Sequence, residues 1–397
     1  MSDVYKLFNK LSLVTPFIML MAMLFPRDNS TWAFDAGQGM RFDGNSKYLY
    51  LFCEKKSAIR NVWISSDSEV VSSLQSQGLE AYHENSILAK FFLLRSGVCF
   101  STHGPNYWKY LMSANLIFLH HGIPLKLMNE DDPDESASLI HRYGDPIYNR
   151  YFLTTSMGSP FSLFQSSYNL DKEQAIIGRY PRTDPFFTDI PNSDIRTNKQ
   201  SLYELKQKGE TNKIAMYAPT FRKDISGEKN GVDYFLEKAN LQLLDQILGQ
   251  EDIFLYISLH PRRSTRNVSS CYENMKVLDT GDDIYPYLAH CDLLITDYSS
   301  IFYDFLLLDR PILFFAPDID RYKKTQGMYF EYQDHVPGPV IKNISELVFH
   351  LCRDDLMTIG QPDRTRMVED YYTKRDTRPS KEVLDNILDQ VSGLSEE

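Results

Sequence analysis

Short apolar runs that break off at glycine, proline or histidine, with stretches of helical character between them, recur along nearly the whole chain. In the first half they fall at residues 31–34, 61–65, 97–101, 116–119, 152–156 and 175–178. The pattern repeats at 214–218, 253–259, 293–296 and 311–315. Helices are predicted between them, among others at 47–53, 70–77, 235–248 and 301–308. Runs without polar alternation are strands buried on both faces. When they alternate with helices, the result is a parallel sheet with helices on either side.

The chain has 397 residues, too many for one ordinary hydrophobic core. The polar stretch 192–212 is the natural divide. The sequence therefore predicts an amino-terminal segment over 1–28, one Rossmann-like domain over 29–195 and a second over 196–397. The expected fold is α/β: two doubly wound domains facing a cleft, a GT-B-like arrangement, preceded by an apolar helix. Ligands in such sheets bind outside the carboxyl ends of the strands.

Net charge is −11, against the sign expected of a protein that wraps nucleic acid, so a polyanion has to be gripped by a local cluster. The five cysteines are scattered, with no Cys-x-x-Cys pair, and read as reduced thiols in a cytoplasmic protein. Residues 11–25 are uncharged and mostly apolar. They are fewer than the about 20 needed to span a bilayer, and Pro16 interrupts them. An interfacial helix lying on a membrane is the favoured reading. A helix packed on the fold and an uncleaved signal or anchor stay open.

Four constellations carry chemistry. His120-His121-Gly122-Ile123-Pro124-Leu125-Lys126 follows an apolar run directly. A histidine there sits on a tight loop at the cleft, able to take a proton from a hydroxyl, with Lys126 as a phosphate partner. Tyr217-Ala218-Pro219-Thr220-Phe221-Arg222 ends another run and supplies an arginine suited to phosphate. His260-Pro261-Arg262-Arg263 ends a third. Asp297-Tyr298-Ser299-Ser300 ends a fourth and opens a helix whose free N–H groups suit a phosphate, with Asp304 one turn on. Each has a bland alternative: a structural turn, a surface arginine, a basic loop, a plain serine cap. No Walker loop, Gly-x-Ser-x-Gly or His-Glu-x-x-His motif is present, and Asp-rich stretches offer no Asp-x-Asp between a strand and a loop, so a metal-dependent transferase is disfavoured.

In this order, the blocks 121–126, 178–184, 218–222, 260–261 and 296–312, with 327–330, 337–340 and the early segment 43–48, resemble the CDP-glycerol glycerophosphotransferase family of teichoic acid and capsule enzymes. The resemblance extends from about Trp32 to Leu388, with Ile123 where threonine is usual and His120 where another aromatic is usual. It implies attack by a hydroxyl on the phosphorus next to the alditol of a CDP-alditol, with CMP leaving. His121 is then the general base, with Gly122, Pro124, Lys126 and Arg182 on the acceptor side. His260, Arg222, Arg262, Asp297, Ser299 and Ser300 are expected around the donor phosphates, and Asp304 at the ribose. The expected donor is CDP-glycerol or CDP-ribitol. The expected acceptor is a lipid-linked or polymeric glycan at the cytoplasmic face of the cell membrane, with other polymer-synthesis enzymes as candidate partners. Neither cofactor, metal nor nucleic acid is expected. Two readings stay open: a nucleotide-sugar glycosyltransferase of the same architecture, and an inactive membrane-associated scaffold.

Overall fold

The computed structural model describes residues 14–56, 58–132, 149–220, 231–259, 272–279, 281–373 and 377–391. Two all-parallel sheets carry the chain. The first runs β3-β2-β1-β4-β5-β6-β7, built from β1 (Asp28–Phe34), β2 (Arg60–Ser65), β3 (Ala81–His83), β4 (Ser96–Ser101), β5 (Asn115–Phe118), β6 (Asn149–Thr154) and β7 (Ala175–Ile177). The second runs β10-β9-β8-β11-β12-β13, built from β8 (Lys213–Tyr217), β9 (Ile253–Ile257), β10 (Met275–Val277), β11 (Leu293–Thr296), β12 (Ile312–Phe315) and β13 (Val340–Ile341). Strand order reverses between β1 and β4 in one sheet and between β8 and β11 in the other, which opens a crevice at each reversal.

The predicted strands are the observed ones to within a few residues, because they are buried on both faces; β4, β9, β11 and β12 are buried throughout. The short strands β3, β10 and β13 carry no apolar run long enough to announce them. Helix ends follow local chemistry. Asp67 accepts the Glu69 N–H at the start of Ser68–Ser76, and Ser86 accepts the Ala89 N–H at the start of Ile87–Arg95. The helix expected over 301–308 is an α-helical turn, Ile301–Phe305, tightening into a 3₁₀ turn, Leu306–Leu308.

The halves are bolted together by buried polar groups. Lys47 Nζ, fully enclosed, donates to Asp283 Oδ2 at 2.8 Å and to the carbonyls of Ser193 and Ile195. Tyr48 donates to the same carboxylate oxygen at 2.8 Å. Farther along, Leu127 N–H donates to Gly327 O and Tyr329 N–H to Leu125 O. The first sheet ends with β7 at Ile177 and the second begins with β8 at Lys213. The last helix, Pro379–Gln390, nevertheless packs back onto the first half, where Asp184 accepts hydrogen bonds from Arg378 and Ser380.

Within the apolar segment 11–25, Val14–Leu24 is helical. It leans on the first half through Arg27, whose guanidinium donates to the carbonyls of Leu93 (2.7 Å), Ser96, Tyr110 and Met112. Its outer side leaves Phe17, Leu20, Met21 and Leu24 exposed, next to exposed Ile87, Leu88 and Phe91. Among the described residues, no helix is long and apolar enough to cross a membrane.

Candidate active site

A cavity of about 870 Å³ lies between the two strand-order reversals. The first half contributes Gln38 and Arg41 after β1, Thr102 and His103 after β4, and the segment from His120 to Asn129 after β5. The second half faces them with Pro219 and Thr220 after β8, Tyr298, Ser299 and Ser300 after β11, and Gln326.

The loop after β5 is held at three successive carbonyls. Asn45 Nδ2 donates to Leu119 O and His120 O, both at 2.8 Å, and Arg182 donates to His121 O at 2.6 Å. These bonds hold His120 in the left-handed region (φ 52°) and Gly122 at φ 130°. Gly122 has no room for a side chain: a Cβ there would lie 2.7 Å from the Arg182 guanidinium and 2.9 Å from Ser300 Oγ. The loop therefore brings Gly122 against Ser300 of the other half.

His121 is open to the cavity. Its pKa is held well below the ordinary imidazole value, first by desolvation in the cleft, then by the neighbouring His120, His103 and Arg182. The Thr102 backbone opposes that lowering only weakly. A neutral imidazole is what proton abstraction requires.

On the facing wall, Ser299 and Ser300 are half-buried. Ser300 is the N-cap of Ile301–Phe305 but its hydroxyl makes no capping hydrogen bond; Ser299 Oγ accepts the Ile301 N–H at 3.4 Å. Lys126 Nζ lies 5.4 Å from the centre of the Tyr322 ring.

Of the residues singled out in the sequence, the structure brings His121, Gly122, Pro124, Lys126, Ser299 and Ser300 to one cavity. Arg182, Asp297 and Asp304 do not line it. Asp304, expected at a ribose, is fully buried, paired with Arg182 at 2.6 Å and accepting a hydrogen bond from Tyr285 at 2.6 Å. Arg182, expected to face an acceptor, is spent on that pair and on His121 O. Asp297, expected near phosphate, is buried and accepts the Thr220 N–H at 2.7 Å, tying the loop after β11 to the loop after β8. Arg222, His260 and Arg262 lie outside the described residues. Among the described residues, no group of three His, Cys, Asp or Glu side chains is placed to hold a metal ion.

Sequence reasoning missed Asn45, Thr102 and His103. Thr102-His103-Gly104 ends an apolar run just as His120-His121-Gly122 does, so the same signal marks it. Asn45 falls in the segment 43–48 that resembles the family's first-domain loop, but its role, reaching the His121 loop from another element, left no mark in the sequence.

Residues 17–389 match the sequence profile of the family described as CDP-Glycerol:Poly(glycerophosphate) glycerophosphotransferase. The chain is 26% identical over 369 residues to a teichoic acid poly(glycerol phosphate) polymerase of Bacillus subtilis, covering 87% of this chain but 46% of that protein. It is 29% identical over 248 residues to a teichoic acid ribitol-phosphate primase of Bacillus spizizenii, covering 61% of this chain and 60% of the primase. The chain thus spans only part of these relatives. A teichoic acid glycerol-phosphate transferase of Staphylococcus aureus is 25% identical and is matched over 97% of its length. Among solved structures, the wall teichoic acid polymerase TagF superposes with a TM-score of 0.72 at 21% identity, over 98% of both chains, a likeness of fold.

Proposed function

The chain belongs to the CDP-glycerol:poly(glycerophosphate) glycerophosphotransferase family, and from that premise we propose that it transfers glycerol phosphate from CDP-glycerol to a hydroxyl of a growing surface polymer, releasing CMP. The supporting observation is His121: an imidazole kept neutral by its surroundings, lining the same cavity as Ser299 and Ser300. The acceptor hydroxyl gives its proton to the free nitrogen of His121 as its oxygen attacks the phosphorus bearing the glycerol. The bond from that phosphorus to the bridging oxygen breaks, and CMP leaves with the electron pair. Ser299, Ser300 and Lys126 are the described groups positioned to receive phosphate oxygens.

The apolar surface over the helices Val14–Leu24 and Ile87–Arg95 supports a second part of the reading, peripheral attachment at the cytoplasmic face of a membrane. Lipid-linked acceptors would be met there.

The test is CMP release by the purified protein given CDP-glycerol, CDP-ribitol or a UDP-sugar with a lipid-linked acceptor. CMP from CDP-glycerol is the expected result, and CMP from CDP-ribitol alone would reassign the alditol. UDP released from a sugar donor, with both CDP-alditols inert, would overturn the reading in favour of a glycosyltransferase.

A further inference from the structure

Two imidazoles look into the cleft from the first half. β4 and β5 are neighbours, so the loop carrying His103 and the loop carrying His121 leave the sheet side by side. The His103 and His121 rings stack with centroids 4.7 Å apart and planes 8° from parallel. On its other face His121 meets His120, at 4.3 Å and 18°. The outer members of this stack differ. His120 is buried, its Nδ1 3.0 Å from Gly122 O and its Nε2 3.1 Å from the Tyr168 hydroxyl. His103 lines the cavity.

Thr102 meets the His103 ring: its hydroxyl accepts the Gly37 N–H at 3.1 Å and lies 2.7 Å from His103 Nδ1.

We propose that His103 is a positioning residue for His121: its parallel stack holds the His121 ring facing the acceptor and keeps it in the neutral, proton-accepting form. The inference rests on His121 being the base of the proposed transfer. The charged and titratable groups around the two rings all oppose a proton on His121. His120 covers one face and His103 the other, and Arg182 lies behind the loop. Arg41, from the loop after β1, acts on His103. From the second half the uncharged Ser300 lies against the adjoining Gly122, while the Asp304 carboxylate is engaged by Arg182 and Tyr285. Stacking on both faces covers the ring faces, so an imidazolium would meet water only from the cavity side. His103 itself is pushed down to about 4, by desolvation and then by Arg41, so it adds no positive charge near neutral pH.

The test compares His103→Ala with His103→Phe in the full chain, the second keeping an aromatic face. The His121 ring is followed by ¹⁵N NMR titration, assigned by its loss in His121→Asn, and CMP release from CDP-glycerol is measured against pH. In the alanine variant the His121 pKa is expected to rise by about one unit, and the acid limb of kcat/KM to move up with it. Its kcat is expected to fall about tenfold to 100-fold with KM for CDP-glycerol little changed. The phenylalanine variant is expected to retain the parent His121 pKa and most of kcat. A folded alanine variant with parental His121 titration and kcat would overturn the proposal, as would a phenylalanine variant as impaired as alanine with its acid limb unmoved. The titration needs no substrate. A parent protein inert toward CDP-glycerol would therefore sink the functional reading while leaving this one to the NMR.

Discussion

At the scale of single residues, the site depends on one group that reacts and one that has no side chain. His121→Ala removes the proton acceptor and little else, since the ring sits in the open cavity. CMP release should fall by about 100-fold or more, and CDP-glycerol affinity by calorimetry should stay within about twofold. Parental turnover in that variant would remove His121 from the mechanism. Gly122→Ala acts differently. Its methyl would enter the space of the Arg182 guanidinium and Ser300 Oγ, and φ 130° is a region side chains avoid. A cost of about 1–3 kcal/mol is expected in urea unfolding, with a loss of kcat because the His121 loop has to move. An unchanged midpoint with unchanged kcat would show that the loop gives way freely. The histidine and glycine were legible in the sequence as a strand-end motif. Nothing in the sequence told that Asp304, one turn past the serines, is consumed by Arg182.

At the scale of elements, the Arg182–Asp304 pair joins the 3₁₀ segment Pro181–Phe186 of the first half to the helix Ile301–Phe305 of the second. Both side chains are almost fully enclosed. Asp304→Asn strands a buried guanidinium and should destabilise the fold by about 3–5 kcal/mol. The double substitution Arg182→Met with Asp304→Leu removes both charges, so thermal stability should largely return. Activity should not return with it, because Arg182 also holds the His121 carbonyl. Recovery of kcat together with stability would show the pair to be structural only.

At the scale of the whole molecule, Asp35 makes stability depend on pH. It ends β1, fully buried, and its oxygens close no hydrogen bond; the Ser101 and Tyr107 hydroxyls come near enough to favour its ionised form but lose to desolvation. Its pKa is pushed from 3.8 up to about 7, burial being the main cause. An acid with a raised folded pKa favours folding while protonated. That contribution is complete below the unfolded value of 3.8 and is lost as pH rises through about 7. Asp35→Asn cannot ionise. Its melting temperature should exceed the parent's at pH 8 by about 3 °C or more, with the difference shrinking at pH 5.5. A difference independent of pH, followed by scanning calorimetry, would show that Asp35 does not titrate there. The proposed membrane face is tested on the same scale. Phe17→Glu with Phe91→Glu should weaken cosedimentation with lipid vesicles by about tenfold or more while CDP-glycerol binding stays intact. Undiminished vesicle binding would move the attachment elsewhere.

The sequence by itself determined the two parallel sheets, because strands buried on both faces leave unbroken apolar runs that no exposed segment would carry. It also determined the strand-end loops of the cleft, since glycine, proline and histidine at the end of such a run mark where the chain turns toward a ligand. The tertiary structure alone decided which polar residues face that cleft. Asp297, Asp304 and Arg182 look as reactive in sequence as Ser299 and His121, yet hydrogen bonds to groups distant in the chain draw them behind the wall. It decided the return of the last helix to the first half and the bolting of Lys47 to Asp283, 236 residues away. It likewise stacked His103 on His121, because sequence order does not record which loops of neighbouring strands lie face to face.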